Sequence, residues 1–463
     1  MDHDADGKST GTSAPRSGAP TVILRALLLI TPVRDQELRT ALLVTLQSFL
    51  ILAAYSCIKP VREAWILALP SGPETKIYTG AAIGVCVALL VPVYAKAATW
   101  WPRDQLIIRT TLFFASHALL FLVLGISWGP TASLAITFYI WISIFNMMIV
   151  AQFWSFAADL YDEEVGKRLF PLFALGASLG AVAGSSIAGL LIVSLGTMAM
   201  LPLSAGLLLG AALVVRFIDG TDLHGAARPT REVQKPVTDS AQAFRFVIHD
   251  RYLLLIGVFS VLFTLVKTNG EYILASLVKQ SADAAIAHGT LAAADAQQYL
   301  GGFYARFQLY VNVLGLLLQT FVVSRVVRKL GVPFAFLVLP VVALMGTAAL
   351  LVWPLLTLAL PAKVTENATD YSLNNTVRNI LWLPTSRHAK YVAKQVVDTV
   401  FVRIGDVVSA AVVFVGAHVL AWPLRAFVSI NVTSILLWLV VAGSILKRYQ
   451  TLASIGQSDP AAS

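Results

Sequence analysis

Apolar residues fill this chain in runs of about 20, separated by short charged connections. Each run is long enough, at ~1.5 Å per residue, to cross the ~30 Å of hydrocarbon in a bilayer as a helix. Twelve spans are predicted, at 40–58, 77–97, 106–127, 133–158, 171–193 and 198–217, then 252–278, 303–323, 333–352, 354–378, 395–420 and 424–446. The one long hydrophilic interior stretch, from Asp219 to Asp250, carries Arg228, Arg231, Lys235 and Arg245 and divides the spans six and six. The expected organisation is a tail with an interfacial helix (1–39), a six-helix bundle (40–217), a linker (218–251), a second six-helix bundle (252–446) and a tail (447–463).

The pattern breaks most sharply in the tenth run. Read as a helix, Lys363, Glu366, Asn367, Asp370, Asn374 and Arg378 fall within an arc of about 120°, one continuous polar stripe. Ionisable side chains at membrane depth are costly and face a bundle interior or a water-filled path. The stripe therefore reads as the wall of a polar cavity, the other reading being a surface helix with its charges in water.

Composition sets the class. At 463 residues, 57% hydrophobic and 13% charged, with a mean hydropathy of +0.75, the chain is an all-α integral membrane protein rather than a soluble enzyme. Met1 to Pro20 is small, polar and rich in Pro, Gly and Ser, as a disordered tail is. Val22 to Ile30 is too short to span, has no cleavage site after it, and is expected to be interfacial. Cys57 and Cys86 lie in apolar segments and fit no metal or disulfide spacing.

Charge asymmetry gives an expected orientation. Arg34 and Arg39, Arg103 and Arg109, Lys167 and Arg168, the central stretch, Arg325, Arg328 and Lys329, Arg387, Lys390 and Lys394, and Lys447 and Arg448 all fall on one side. The loops around Gly125–Thr131, Ser194–Thr197 and Trp353 are nearly free of positive charge. Both termini are therefore expected in the cytoplasm of a bacterial inner-membrane protein. The net charge of +9 follows from this bias and needs no nucleic-acid partner.

The six-plus-six plan is that of the major facilitators, whose halves are repeats. Lys59-Pro-Val-Arg-Glu63 in the first span recurs as Lys267-Thr-Asn-Gly-Glu271 in the seventh, 208 positions later. Ala157-Ala-Asp159 and Ala368-Thr-Asp370 stand 211 apart. Such offsets are what a duplicated half leaves, and they place the charges of spans 1, 4, 7 and 10 on a central cavity. Lys59, Arg62, Lys267, Lys363 and Arg378, with Asn269, Asn367 and Asn374, are the candidate substrate-binding residues: cations in a dehydrated cavity attract multiply charged anions.

Glu63, Asp159, Glu271, Glu366, Asp370, Asp398, Arg403 and Asp406 are the candidate coupling or gating groups. Three roles stay open for the carboxylates: static neutralisation of a neighbouring cation, switching when a substrate anion displaces them, and proton relay by Glu271 or Asp370. Asp159 either extends the cavity or ends its helix at the surface. Arg403 either bridges to the tenth-span carboxylates or gates the cytoplasmic side. Gly176, Gly180 and Gly184 repeat every four residues and predict a close helix contact. Phosphate-binding loops, metal-binding motifs and hydrolase motifs are missing from the sequence, so neither a cofactor nor an enzyme activity is expected.

Several segments resemble the bacterial and plastid type of ATP/ADP translocases. They are Tyr55-Ser-Cys-Ile-Lys-Pro-Val-Arg-Glu63, Phe153-Trp-Ser-Phe-Ala-Ala-Asp159, Gly166-Lys-Arg-Leu-Phe170, Glu366 to Arg378, Leu383-Pro-Thr-Ser386 and Asp398-Thr-Val-Phe-Val-Arg-Ile-Gly-Asp406. The resemblance runs from about residue 34 to 447. It implies exchange of nucleotides without hydrolysis, with Lys59 as the first-span lysine and Glu271 as the seventh-span glutamate. Asp159 stands where that family carries a glutamate, and its lysine in the C-terminal half has only Lys363 as a candidate here. The chain is also shorter, as a divergent bacterial member would be. The expected protein is a monomer in the lipid bilayer that exchanges nucleotides or related organic phosphates, the alternative being a proton-coupled carrier of another organic anion or a drug. A membrane scaffold without transport ranks behind both, because it leaves the charged stripe without a purpose.

Overall fold

The computed structural model describes residues 33–34, 37–97, 100–129, 131–218, 240–386 and 389–458. The expected tail and interfacial helix before residue 33, the linker cations Arg228, Arg231 and Lys235, and Arg387 lie outside the described residues.

Twelve long helical rods follow one another among the described residues. The first six are α1 (Leu38–Leu67), α2 (Gly72–Ala97), α3 (Arg103–Trp128), α4 (Ala132–Leu160), α5 (Glu163–Leu195) and α6 (Met200–Arg216). A short helix, Ser240–His249, precedes α7 (Arg251–Ala287). The rod α8 runs from Ala296–Leu317 through a π-helical turn at Leu318–Val322 to residue 330, and α9 covers 332–352. Then come α10 (Leu356–Thr369, a π turn at Asp370–Asn374, and Asn375–Ile380), α11 (389–419) and α12 (Leu424–Ser458). Nine described stretches are long and apolar enough to cross a membrane, one of them spanning both α8 and α9. Their outward side chains, such as Leu190, Ile126 and Val440, are exposed because lipid rather than protein is their solvent. The chain is a multi-pass, all-α membrane protein built of two six-helix halves.

Local chemistry sets the rod ends. Thr131, Asp162 and Asp250 accept backbone N–H groups at the starts of α4, α5 and α7. Gly331, at φ 80°, separates α8 from α9, a left-handed conformation that a side chain would strain. The sequence placed the end of the seventh span near residue 278, but α7 continues to Ala287.

Within the first half, α1 packs on α5 and α6. The glycine ladder of α5 lies directly on the α1 backbone. A Cβ at Gly180 would stand 2.1 Å from the Phe49 carbonyl oxygen, and one at Gly184 2.2 Å from that of Ala53. Only glycine permits this approach. Gly184→Ala is therefore expected to destabilise the protein by about 1–3 kcal/mol through overpacking, read as a lowered Tm in detergent.

The halves meet where α8 lies on α5 and α1, and where α2 lies on α11 and α7. By the up-and-down order, one end of the bundle holds the starts of α1 and α7. The other, the far end, holds the α1–α2 and α7–α8 connections. Gly301 of α8 packs there against Ala64, Ile192 and Thr197 of the first half.

Candidate functional site

The repeated Lys-x-x-x-Glu motif places its two charges one turn apart on α1 and again on α7. The fold turns both glutamates toward a single lysine. Lys76 Nζ, in the first turns of α2, lies 2.9 Å from Glu63 Oε2 and 3.2 Å from Glu271 Oε2. Arg62 donates to Glu63 Oε1 at 2.5 Å and to Ser143 Oγ at 3.2 Å, with its guanidinium over the Tyr139 ring. Lys76 itself faces the Tyr304 ring of α8 at 5.1 Å.

The two motif lysines differ. Lys59 donates to the neutral Gln308 Oε1 at 2.5 Å, and Gln308 is held in turn by Asn312 at 2.8 Å. Lys267 pairs with Asp370 Oδ2 at 2.7 Å and lies 5.1 Å from the Tyr371 ring.

These groups line one cavity between the halves, enclosing about 600 Å³ including its open mouth. Lys59, Arg62, Lys76 and Lys267 face Glu63 and Glu271 across it. Tyr139, Tyr304, Phe307 and Tyr371 supply aromatic walls, and Gln308 and Asn367 supply amides. With Asp370, which pairs with Lys267 behind the lining, four cations stand against three carboxylates, and the site keeps a net positive charge. In a partly dehydrated cleft such a lining concentrates anions, and aromatic faces beside it accept a planar ring.

The tenth helix does not form the continuous wall expected from its sequence. Lys363, Glu366, Asn367, Asp370 and Asn374 are all buried. Lys363 turns to Glu366 on its own helix at 2.7 Å, and Asn374 donates to Asp370 at 2.9 Å. Asn367 reaches the main cavity and donates to Glu271 at 3.3 Å. Glu366, Asn367 and Asp370 also border a smaller pocket with Lys267, Phe263 and Trp438. The π turn at Asp370–Asn374 closes its hydrogen bonds one residue later than an α-turn. That shift breaks the α-helical register on which the stripe rests, and Arg378 pairs with Asp398 of α11 at 3.4 Å.

The structure narrows the expectations for three further residues. Asp159 is exposed at the end of α4, whereas Asp370 is buried within α10, so the two are not equivalent in depth. Arg403 pairs with Asp406 on its own helix at 2.8 Å rather than with the tenth-span carboxylates, and it packs over Gly84 of α2. Asn269 donates to the Phe427 carbonyl of α12 at 3.0 Å, away from the cavity. Lys76, Gln308, Tyr139 and Tyr304 were not anticipated. Lys76 sits one residue before the expected start of the second span and reads as part of a polar connection. Its one signal is that a glutamate in an apolar helix, such as Glu63, needs a cation.

A scan of protein-family models and a search of curated proteins returned no match. Solved structures do match. A point mutant of the nucleoside transporter NupG aligns over 88% of this chain and 99% of its own, with a TM-score of 0.63 and 12% identity. A bacterial homologue of the iron transporter ferroportin, in an inward-facing state, aligns over 89% and 99%, at 0.58 and 14%. The peptide transporter PepTSo aligns over 90% and 99%, at 0.57 and 12%. The fold is that of the major facilitators. In folds of this kind the substrate sites lie near the midplane where the two repeats meet, and the cavity here draws its lining from both halves.

Proposed function

We propose that the chain is a secondary transporter that moves nucleotides or related organic phosphates by alternating access, as an exchanger. The supporting observation is the inter-half cavity, where Lys59, Arg62, Lys76 and Lys267 outnumber Glu63 and Glu271 and aromatic rings stand beside them. The ion pairs Arg62–Glu63, Lys76–Glu63, Lys76–Glu271 and Lys267–Asp370 give the cavity internal counterions that a substrate oxyanion would displace. The resemblance of the Lys59–Glu63 and Glu366–Arg378 segments to the ATP/ADP translocases supports a nucleotide as that anion. The charge asymmetry of the loops supports a bacterial inner-membrane location with both termini cytoplasmic, so that the far end faces the periplasm.

Proteoliposomes preloaded with ADP are expected to take up labelled ATP, and unlabelled ATP outside is expected to chase it out. Absence of exchange across a nucleotide panel, with protein that remains folded and monodisperse, overturns the assignment.

One observation favours a proton-coupled carrier instead. Glu366 and Asp370 are buried beside a pocket of their own, as proton-relay carboxylates are. That reading predicts uptake driven by a pH gradient and lost in Asp370→Asn. Exchange indifferent to the gradient counts against it.

A further inference from the structure

The first turns of α2 carry a row of side chains that each cross to the other half. Glu74 accepts the Tyr272 hydroxyl of α7 at 2.9 Å. Lys76 holds Glu271 of α7 together with Glu63 of α1. Tyr78 lies 3.2 Å from His418 of α11. Glu74 and Tyr78, four residues apart, share one face of α2 near the far end, and Lys76, between them in sequence, lies on another face. Lys76 is the only member that bonds to both halves through charge. The side chains of Lys76, Glu63 and Glu271 are 6%, 4% and 21% exposed, so water screens the Glu63 pair little and the Glu271 pair somewhat more.

We propose that Lys76 is a positioning residue that locks the far end shut by bridging Glu63 of one half to Glu271 of the other. The inference rests on the alternating-access reading above. Without the ammonium, the buried Glu63 and the partly buried Glu271, carboxylates of opposite halves, are left with one cation fewer between them. Arg62 still neutralises Glu63, while among the described residues Glu271 keeps the Asn367 amide as its hydrogen-bond partner and the more distant charge of Lys363, which is itself paired with Glu366. Separation of the halves at the far end lets water reach Glu271 and relieves that cost. Because Lys76 also lines the cavity, a substrate oxyanion within reach competes with the glutamates for it. Loading of the site thereby loosens the lock.

Ser276 reports on the lock. It is buried on α7, one turn beyond Tyr272 and thus beyond the bridge toward the far end. The purified full-length protein, with Ser276→Cys and with Cys57→Ser and Cys86→Ser to remove the native thiols, is to be labelled with a hydrophilic maleimide in detergent. Slow labelling is expected with Lys76 present and in Lys76→Arg, which keeps the charge. Labelling about tenfold faster or more is expected in Lys76→Met, which keeps the apolar stem but not the charge. Glu271→Gln, which cuts the same bridge from the other side, should also accelerate labelling and provides the result if Lys76→Met does not fold. Native-rate labelling in both Lys76→Met and Glu271→Gln overturns the proposal, as does equal acceleration by Lys76→Arg and Lys76→Met, the signature of packing alone. A further arm adds ADP to protein that retains Lys76. Acceleration by ADP but not by adenosine supports the lock and its release by an oxyanion. Acceleration by Lys76→Met with no response to ADP supports the lock and sinks the nucleotide assignment instead.

Discussion

Lys363→Ala is expected to destabilise the protein by about 3–5 kcal/mol, the cost of leaving a buried carboxylate without its partner. Lys363 and Glu366 are 4% and 8% exposed, and their side chains meet at 2.7 Å within one helix. Truncation of the lysine leaves the buried Glu366 without its bonded cation, beside a pocket it shares with Asp370 and with a Lys267 already paired to that aspartate. Removal of both charges is expected to be far milder: Lys363→Met with Glu366→Leu keeps the volume and discards the ion pair, and such replacements are often neutral. Thermal unfolding in detergent separates the cases, with a large drop in Tm for the single change and substantial recovery for the double. A single variant as stable as the parent shows that the pair is dispensable and that Glu366 finds another partner. The resemblance offers Lys363 as a phosphate-binding candidate, yet its ammonium is occupied by Glu366 rather than lining the main cavity, so its loss is expected to read first as instability.

Lys59→Ala carries the opposite signature. Lys59 lines the cavity, and its bonded partner is the neutral Gln308. No carboxylate is stranded by its removal, and Gln308 keeps Asn312, so Tm is expected to change little. Anion affinity is expected to fall. A charge-assisted hydrogen bond contributes about 1.5–3 kcal/mol, which corresponds to a rise of roughly 10–150-fold in Kd. Titration of nucleotide-induced thermal stabilisation measures the shift, and exchange at low substrate should fall in parallel. Lys59→Arg should recover part of the loss, since it restores the charge with a different shape. Unchanged affinity in Lys59→Ala removes this lysine from the substrate path and shifts the weight to Lys267 and Arg62.

The pair of variants shows what sequence spacing can and cannot decide. Lys59 and Lys363 look alike along the chain, each a lysine in an apolar helix with a glutamate three or four residues on. The Lys-x-x-x-Glu spacing does put both charges on one helical face, and its recurrence at the seventh span correctly indicated two helices that contribute to one place. It is silent on which neighbour each charge selects. Lys59 takes an amide from α8, Lys267 a carboxylate from α10, and Lys363 a carboxylate from its own next turn.

The membrane class, the approximate positions of the twelve rods and the close contact along Gly176, Gly180 and Gly184 were legible along the chain. Those properties depend on run length, mean hydropathy and helical period, which are local and additive. The tertiary structure alone decided that Lys76 joins Glu63 to Glu271 and that Asp159 and Asp370 sit at different depths. It alone decided that a π turn breaks the tenth-helix stripe after Asp370. Those outcomes depend on which helices touch across the bundle and on one extra residue in a turn, and neither quantity is carried by the hydrophobic pattern of a single helix.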